Sequence, residues 1–191
     1  MSTNTYYPRV LNQVGSFNDI TNTPSIDWNF ENPTIPQSVL TVKPLHTISG
    51  FWQEIFRSVT SDLWYTDLQI PDSGATIVGI ELELEMQRNA RVQDLTVQLT
   101  YNGILIGENQ ASTINPVQSN MYTGENTVTP IPAGNMHTYG ASDSVWGTTD
   151  LTTAMLSDSS FGVVIGFQSN HIYPHSDFAQ VNRVALRITY A

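Results

Sequence analysis

The sequence predicts an all-β fold, a jelly-roll-like antiparallel β-sandwich with an N-terminal arm. Three observations point there. Apolar and polar residues alternate with period two in several short stretches. An Asn-Gly pair sits between two apolar runs, the strongest short-range hairpin signal. Only 13% of the residues are charged, while Gly numbers 12 and Pro 10, a composition of short strands joined by turns rather than of solvated helices.

The elements follow in order. Residues 1–50 are interrupted by Pro8, Pro24, Pro33, Pro36 and Pro44. Within them SVLTVKPLH (38–46) supplies one strand, and the rest reads as an arm, long loops or added strands. Tyr6, Tyr7, Trp28 and Phe30 argue against a purely disordered tail, because such aromatics need a surface to pack on. Residues 51–191 form the sandwich domain. GFWQEIFRSVTSDLWYTDLQI is dense in aromatic and β-branched strand formers. PDSGAT turns the chain into TIVGIELELEMQ, which alternates strictly. LTVQLTY places Leu95, Val97, Leu99 and Tyr101 on one face, and Asn102-Gly103 returns the chain into ILIGENQ. Residues 111–140 read as a long excursion broken by Pro116, Gly124, Pro130, Pro132 and Gly134. DLTTAMLSDSS predicts one or two helical turns capped by Asp150. FGVVIGFQ reads as a buried strand, and RVALRITYA closes the chain with Val184, Leu186, Ile188 and Tyr190 facing one way.

Bulk properties narrow the function. A chain of 191 residues is one domain, or one domain plus an arm, and buries roughly 70% of its unfolded surface without a staple. With no cysteine there is no disulfide, thiolate metal site or thiol nucleophile. Lys and Arg number 7 against 17 Asp and Glu, a net charge of −10, which disfavours nucleic acid and anionic lipid surfaces as partners. MSTNTYYPRVLNQ has no apolar run of the kind a signal peptide needs, and no window approaches the ~20 apolar residues of a membrane span.

Glu81, Glu83 and Glu85 alternate with Ile80, Leu82, Leu84 and Met86. On a strand, residues i and i+2 stand ~7 Å apart on one flat surface. A catalytic carboxylate pair has to flank a substrate from opposing walls, and Ca²⁺ needs ~6–8 converging oxygens. Like charges ~7 Å apart in water cost only ~0.6 kcal/mol per pair, so a solvated face is the better reading, with Arg183 and Arg187 positioned to pair across strands. His171 and His175, with Asp177 near, are metal-ligand types, but Pro174 between them forbids the one-face helical pair of a zinc site. No G-x-S-x-G elbow and no Gly-rich phosphate loop occurs. No catalytic residue, metal site or cofactor is therefore expected. Trp52, Trp64, Tyr65 and Trp146 are candidates for a sugar platform or a subunit interface, as are Tyr6, Tyr7, Trp28 and Phe30 for an interface.

From about residue 60 to 191 the chain resembles a β-sandwich module of structural proteins of tailed bacteriophages and prophages. The residues that carry the resemblance are SDLWYTDLQIPDSGATIVGIELELEMQR, VQDLTVQLTYNGILIGEN, TYGASDSVWGTTDLT, SSFGVVIGF and VNRVALRITY. The shared pattern is Ile-Pro closing a strand, a Gly-Ala-Thr-Ile turn, an alternating strand, a Val-x-Asp strand, the Asn-Gly hairpin, Trp-Gly before a short helix, Phe-Gly-Val, and a final aromatic strand. The resemblance implies a non-enzymatic virion structural protein, assembled in the host cytoplasm. The first expectation is a capsid decoration or cement protein that binds the head lattice (the major capsid protein or another virion protein) and itself, as a homotrimer suited to local threefold points. The alternative is a carbohydrate- or receptor-binding module of a tail fibre, with Trp52, Trp64, Tyr65 or Trp146 stacking on a glycan beside Asp62, Asp67 or Asp143. A glycosidase using Glu81 or Glu83 is a third reading.

Overall fold

A computed structural model describes residues 1–14, 29–30, 38–42, 56–59, 62–88, 92–111, 131–171 and 177–191. In chain order the strands are β1 (Ser2–Tyr6), β2 (Val10–Val14), β3 (Asn29–Phe30), β4 (Ser38–Val42), β5 (Phe56–Val59), β6 (Asp62–Thr66), β7 (Ile77–Arg88), β8 (Val92–Tyr101), β9 (Ile104–Ile106), β10 (Ile131–Ala141), β11 (Gly162–His171) and β12 (Asp177–Tyr190), with the helix α1 (Thr153–Ser157) before β11. No helix among the described residues is long and apolar enough to cross a membrane.

The strands form two antiparallel sheets. The first runs β10-β7-β12-β4-β3, with β1 pairing the C-terminal part of the same β12 edge. The second runs β2-β6-β11-β8-β9, with β5 pairing the far end of β11 beyond β6. Taking β5 and β6 as one interrupted strand and counting from β4 to β12, the first sheet holds the first, eighth, third and sixth strands. The second holds the second, seventh, fourth and fifth. This is the strand order of a jelly roll, two Greek keys folded onto each other. The all-β sandwich that the alternation predicts is the observed fold.

The period-two strands supply the core. Ile80, Leu82, Leu84 and Met86 of β7 are fully buried and pack with Val184, Leu186, Ile188 and Tyr190 of β12. Leu63, Tyr65, Val97, Leu99, Val163, Ile165 and Phe167 face them from the second sheet. The β8–β9 turn is the expected Asn102-Gly103, with φ of 53° and 74° at the two positions, the doubly left-handed geometry of a tight hairpin.

The described start of the N-terminal segment forms strands, one of the alternatives for residues 1–50: β1 extends the first sheet, and β2 pairs β6 of the second. Tyr7–Arg9 makes the corner between them, and the Arg9 amide donates to the carbonyls of Thr66 (3.1 Å) and Asp67 (3.2 Å). β1 has no apolar alternation because it pairs an edge through its backbone and leaves Ser2, Thr3, Asn4 and Thr5 exposed. The 111–140 excursion contains β10, whose Pro132 and Gly134 fall at a register shift in an edge strand, the one setting where a sheet tolerates both. The helix is capped by Thr152, whose side chain accepts from the Met155 amide, and not by Asp150. Asp150 instead accepts a hydrogen bond from Thr149.

Leu95 is also displaced from the face assigned to it. Gly166 of β11 opposes Thr96 and the next residue, Phe167, opposes Asp94, so Leu95 is the extra residue of a β-bulge. Asn109 braces it, accepting from the Val97 amide (2.9 Å) and donating to the Leu95 carbonyl (2.8 Å). Beyond the bulge the alternation slips by one, so that Asp94, not Leu95, points into the sandwich.

One end of the sandwich closes around Trp146, which is fully buried. Its indole N–H donates to the Ile80 carbonyl at 2.9 Å, and its own carbonyl accepts from the Glu108 amide at 2.6 Å. The indole lies against Gly140, where φ is 78° and a Cβ would overlap both the indole nitrogen and the Ile80 carbonyl. Gly140→Ala therefore combines a left-handed backbone penalty with a displaced keystone, and should cost about 2–4 kcal/mol. Gly74→Ala, at φ 66° in open space, should cost only about 1 kcal/mol. Thermal melts of the two variants check this: Gly140→Ala should melt roughly 5–15 °C below the parent and well below Gly74→Ala.

Candidate functional site

The aromatic candidates separate by burial. Tyr65 is fully buried in the core. Trp64, its neighbour on the opposite face of β6, is 7% exposed, and Trp146 and Asp62 are fully buried. None of these offers a stacking surface to a glycan, because strand alternation and the end closure turn each of them inward or under cover. Trp28 and Trp52 lie outside the described residues, and so does the side chain of Phe30 in β3. His175 and the His171 side chain also lie outside them. Tyr6 packs against the core, its hydroxyl 3.4 Å from that of Tyr190. Burial, and then this contact, raises the Tyr190 pKa above the usual phenol value.

Tyr7 stays half exposed and joins the outer face of the first sheet. Arg183 lies over its ring, 5.2 Å from the centroid, and donates to its hydroxyl at 2.7 Å. The Arg183 position opposes Glu85 in the strand register, yet this guanidinium contacts the N-terminal corner. Arg187 pairs as its register predicts: Nη1 lies 3.3 Å from Glu83 Oε1 and 3.6 Å from Glu81 Oε2.

The outer face is built by period and register. Thr138 and Met136 of β10 stand opposite Glu83 and Glu85 of β7. Glu81 stands opposite Arg187 of β12, which in turn stands opposite Thr5 of β1. Thr3 and Thr189 hydroxyls meet at 3.0 Å, and Gln87, Gln180 and Asn182 extend the surface as a chain of side-chain amides. The result is four strands wide and mixed in charge. It presents carboxylates in a row with a cation between two of them, rather than a pair across a cleft or a converging ligand set. Among the described residues no group of three or more His, Asp or Glu side chains is placed to hold a metal ion. Half-exposed ion pairs of this kind contribute about 0–1 kcal/mol. The triple variant Glu81→Gln, Glu83→Gln, Glu85→Gln should therefore fold, with a urea-unfolding free energy within roughly 1 kcal/mol of the parent.

A second polar cluster, unforeseen in the sequence, lies between the sheets. The inward stripe of β7 continues one step past Met86 to Arg88, which is 3% exposed. Its Nη1 donates to Oδ1 of Asp94, the carboxylate that the Leu95 bulge turns inward, and the Tyr139 hydroxyl of β10 donates to Oδ2 at 2.8 Å. Three strands from both sheets thus meet on one carboxylate. Burial, reinforced by Asp94, holds the Tyr139 pKa well above its usual value. His137, on the same face of β10, meets the Tyr139 ring edge to face at 4.6 Å. The signals that could have found the cluster are the continuation of the β7 stripe to Arg88 and the Val-x-Asp pattern at Val92–Asp94.

His137 makes the cluster sensitive to acid. Desolvation lowers its pKa below 6.5; Asp94 opposes this shift and Arg88 adds to it. A histidine depressed in the folded state leaves the unfolded chain binding more protons, so stability is full above the unfolded value and falls as pH drops through it. Urea midpoints should decline between about pH 7 and about pH 5.5, and His137→Gln should remove that part of the slope.

Comparison of the chain with protein-family models, with curated proteins and with solved structures finds no match.

Proposed function

We propose that this chain is a non-enzymatic structural protein of a tailed-phage virion, a capsid decoration or cement protein that binds the head lattice and copies of itself. The observation that carries this reading is the fit between the virion-module resemblance and the frame. The resembling segments supply β6 to β9, the last part of β10, the Trp146 closure, most of β11 and the C-terminal part of β12. Within them shared residues hold structural positions: Asn102-Gly103 at the hairpin, Asp94 on Arg88, and Trp146 at the closed end. Ile70 is buried in the core, but β6 ends at Thr66 and Ile70-Pro71 closes no strand. A frame maintained by such residues leaves its outer faces for association.

The outer face of the first sheet is the surface assigned to that association. Its side chains are held by neighbours before any partner arrives, which reduces the ordering cost of binding. A trimer matches the local threefold points of a capsid lattice. The purified chain should scatter light as a species of about three times 21.2 kDa, unchanged by EDTA, and should sediment with phage heads that lack a decoration protein. A monomer that also fails to bind heads would overturn the proposal.

A further inference from the structure

At the Trp146 end, the loop that precedes β7 and the turn that leads into α1 enclose a cleft of about 410 Å³. Its volume lies within the roughly 300–1,000 Å³ typical of small-molecule sites. The walls are pinned together. Thr153 Oγ1 donates to Asp72 Oδ1 at 2.6 Å and accepts from the Gly74 amide at 3.0 Å, so the two sides of the cleft hold one geometry. We infer that this cleft binds a neutral saccharide unit.

The lining determines the ligand class. Asp72, Thr76, Thr148, Thr149 and Thr152 line it over an apolar floor of Ile77 and Leu151. Thr148 and Thr149 already donate, to the Val145 carbonyl and to Asp150, and keep lone pairs to accept with. Thr152 already accepts, from the Met155 amide, and keeps its proton to donate. Asp72 Oδ2 and the Thr76 hydroxyl have no hydrogen-bond partner among the described residues. Acceptors (Thr148, Thr149 and Asp72), a donor (Thr152) and a hydroxyl free to act as either (Thr76) thus border a small apolar patch, which suits the hydroxyls of a sugar ring around its C–H face.

Other ligand classes fit less well. Among the described residues no Lys or Arg lines the cleft, and a carboxylate stands on its wall in a chain of net charge −10, which disfavours phosphates and acidic sugars. A hydrocarbon ligand would leave the threonine hydroxyls and Asp72 without partners. A calcium ion wants ~6–8 oxygens, and among the described lining residues Asp72 is the only carboxylate. The residues that line the cleft are not those assigned to association, so binding there is tested without assembly. Display in several copies would add avidity to a weak single site.

The test is an amide-resolved NMR titration of the full chain with glucose, galactose, mannose, rhamnose and N-acetylglucosamine, each to roughly 100 mM, since single-sugar sites bind at about the millimolar level. At least one sugar should shift the resonances of Thr76, Thr148, Thr149 and Thr152 together. Asp72→Asn keeps an acceptor for Thr153, and Ala154→Trp fills the mouth from the exposed side of α1. Each should weaken that response about tenfold or more while leaving the core resonances in place. No cleft response to any of the five sugars overturns the inference. So does a response to Ca²⁺ alone that Asp72→Asn abolishes, which would make the cleft a cation site. Because the readout needs only the soluble chain, a failure here is distinct from a failure to trimerise or to bind heads.

Discussion

The indole N–H of Trp146 is fully buried and must find an acceptor, since an unpaired buried donor costs about 1–3 kcal/mol. It finds the Ile80 carbonyl of the first sheet, while the Trp146 carbonyl takes the Glu108 amide that follows the β9 return of the second. One residue therefore joins the two sheets where their strands end. Its position constrains the surroundings in turn. Gly140 must lack a side chain for the indole to lie there, and the Ile80 amide is taken by Ser144 of the turn that carries the tryptophan. The cleft between the β7 approach and α1 opens beside this closure, and its walls inherit the closure's order.

The Arg88–Asp94–Tyr139 cluster is a different kind of tie. Taking charges out of water costs several kcal/mol, so such a pair adds little net stability over an apolar replacement, while removing one partner typically costs about 3–5 kcal/mol. Its effect is on register: a one-residue slip of β7 or β8 would strand a charge in the core. The bulge at Leu95 is what delivers the carboxylate, and Asn109 is what holds the bulge. Arg88 Nε has no hydrogen-bond partner among the described residues. Specificity of strand pairing, rather than maximal stability, is the better physical account of it.

These two ties also mark how far the sequence can be read. The alternation of β7 and β12 is set by burial on one face, so the sandwich, its core stripe and the solvated glutamate face follow directly from period two. The Asn-Gly hairpin follows from backbone chirality. What did not follow had one cause each. β1 and β2 pair edges through backbone groups, which leave little trace in side-chain pattern. β10 carries Pro and Gly that signal a break, yet an edge strand with a bulge accommodates both. Asp150 and Thr152 are both competent caps, and only the backbone path decides between them. The Asp94 cluster needed a bulge whose brace, Asn109, lies 14 residues from the carbonyl it holds.

The strand edges bear on how such a molecule can associate. The long strands β7, β12 and β11, of 12, 14 and 10 residues, are flanked on both sides. The described edge positions go to short strands, β1 and β2 of 5 residues, β5 of 4, β9 of 3 and β3 of 2, to β10, which is long but carries Pro132 and a bulge, or to the part of β8 before Leu99, which is bulged at Leu95. Short, proline-bearing and bulged edges oppose strand-to-strand growth, which is how natural sheets avoid open-ended aggregation. Association is then left to the faces, where side chains rather than backbone set the geometry. A face contact closes on itself when the rotation it repeats is that of a closed point group. The outer face of the first sheet, with Arg187 between two carboxylates and Tyr7 held by Arg183, is the one that the proposed assembly would use, because its side chains are already ordered by these contacts.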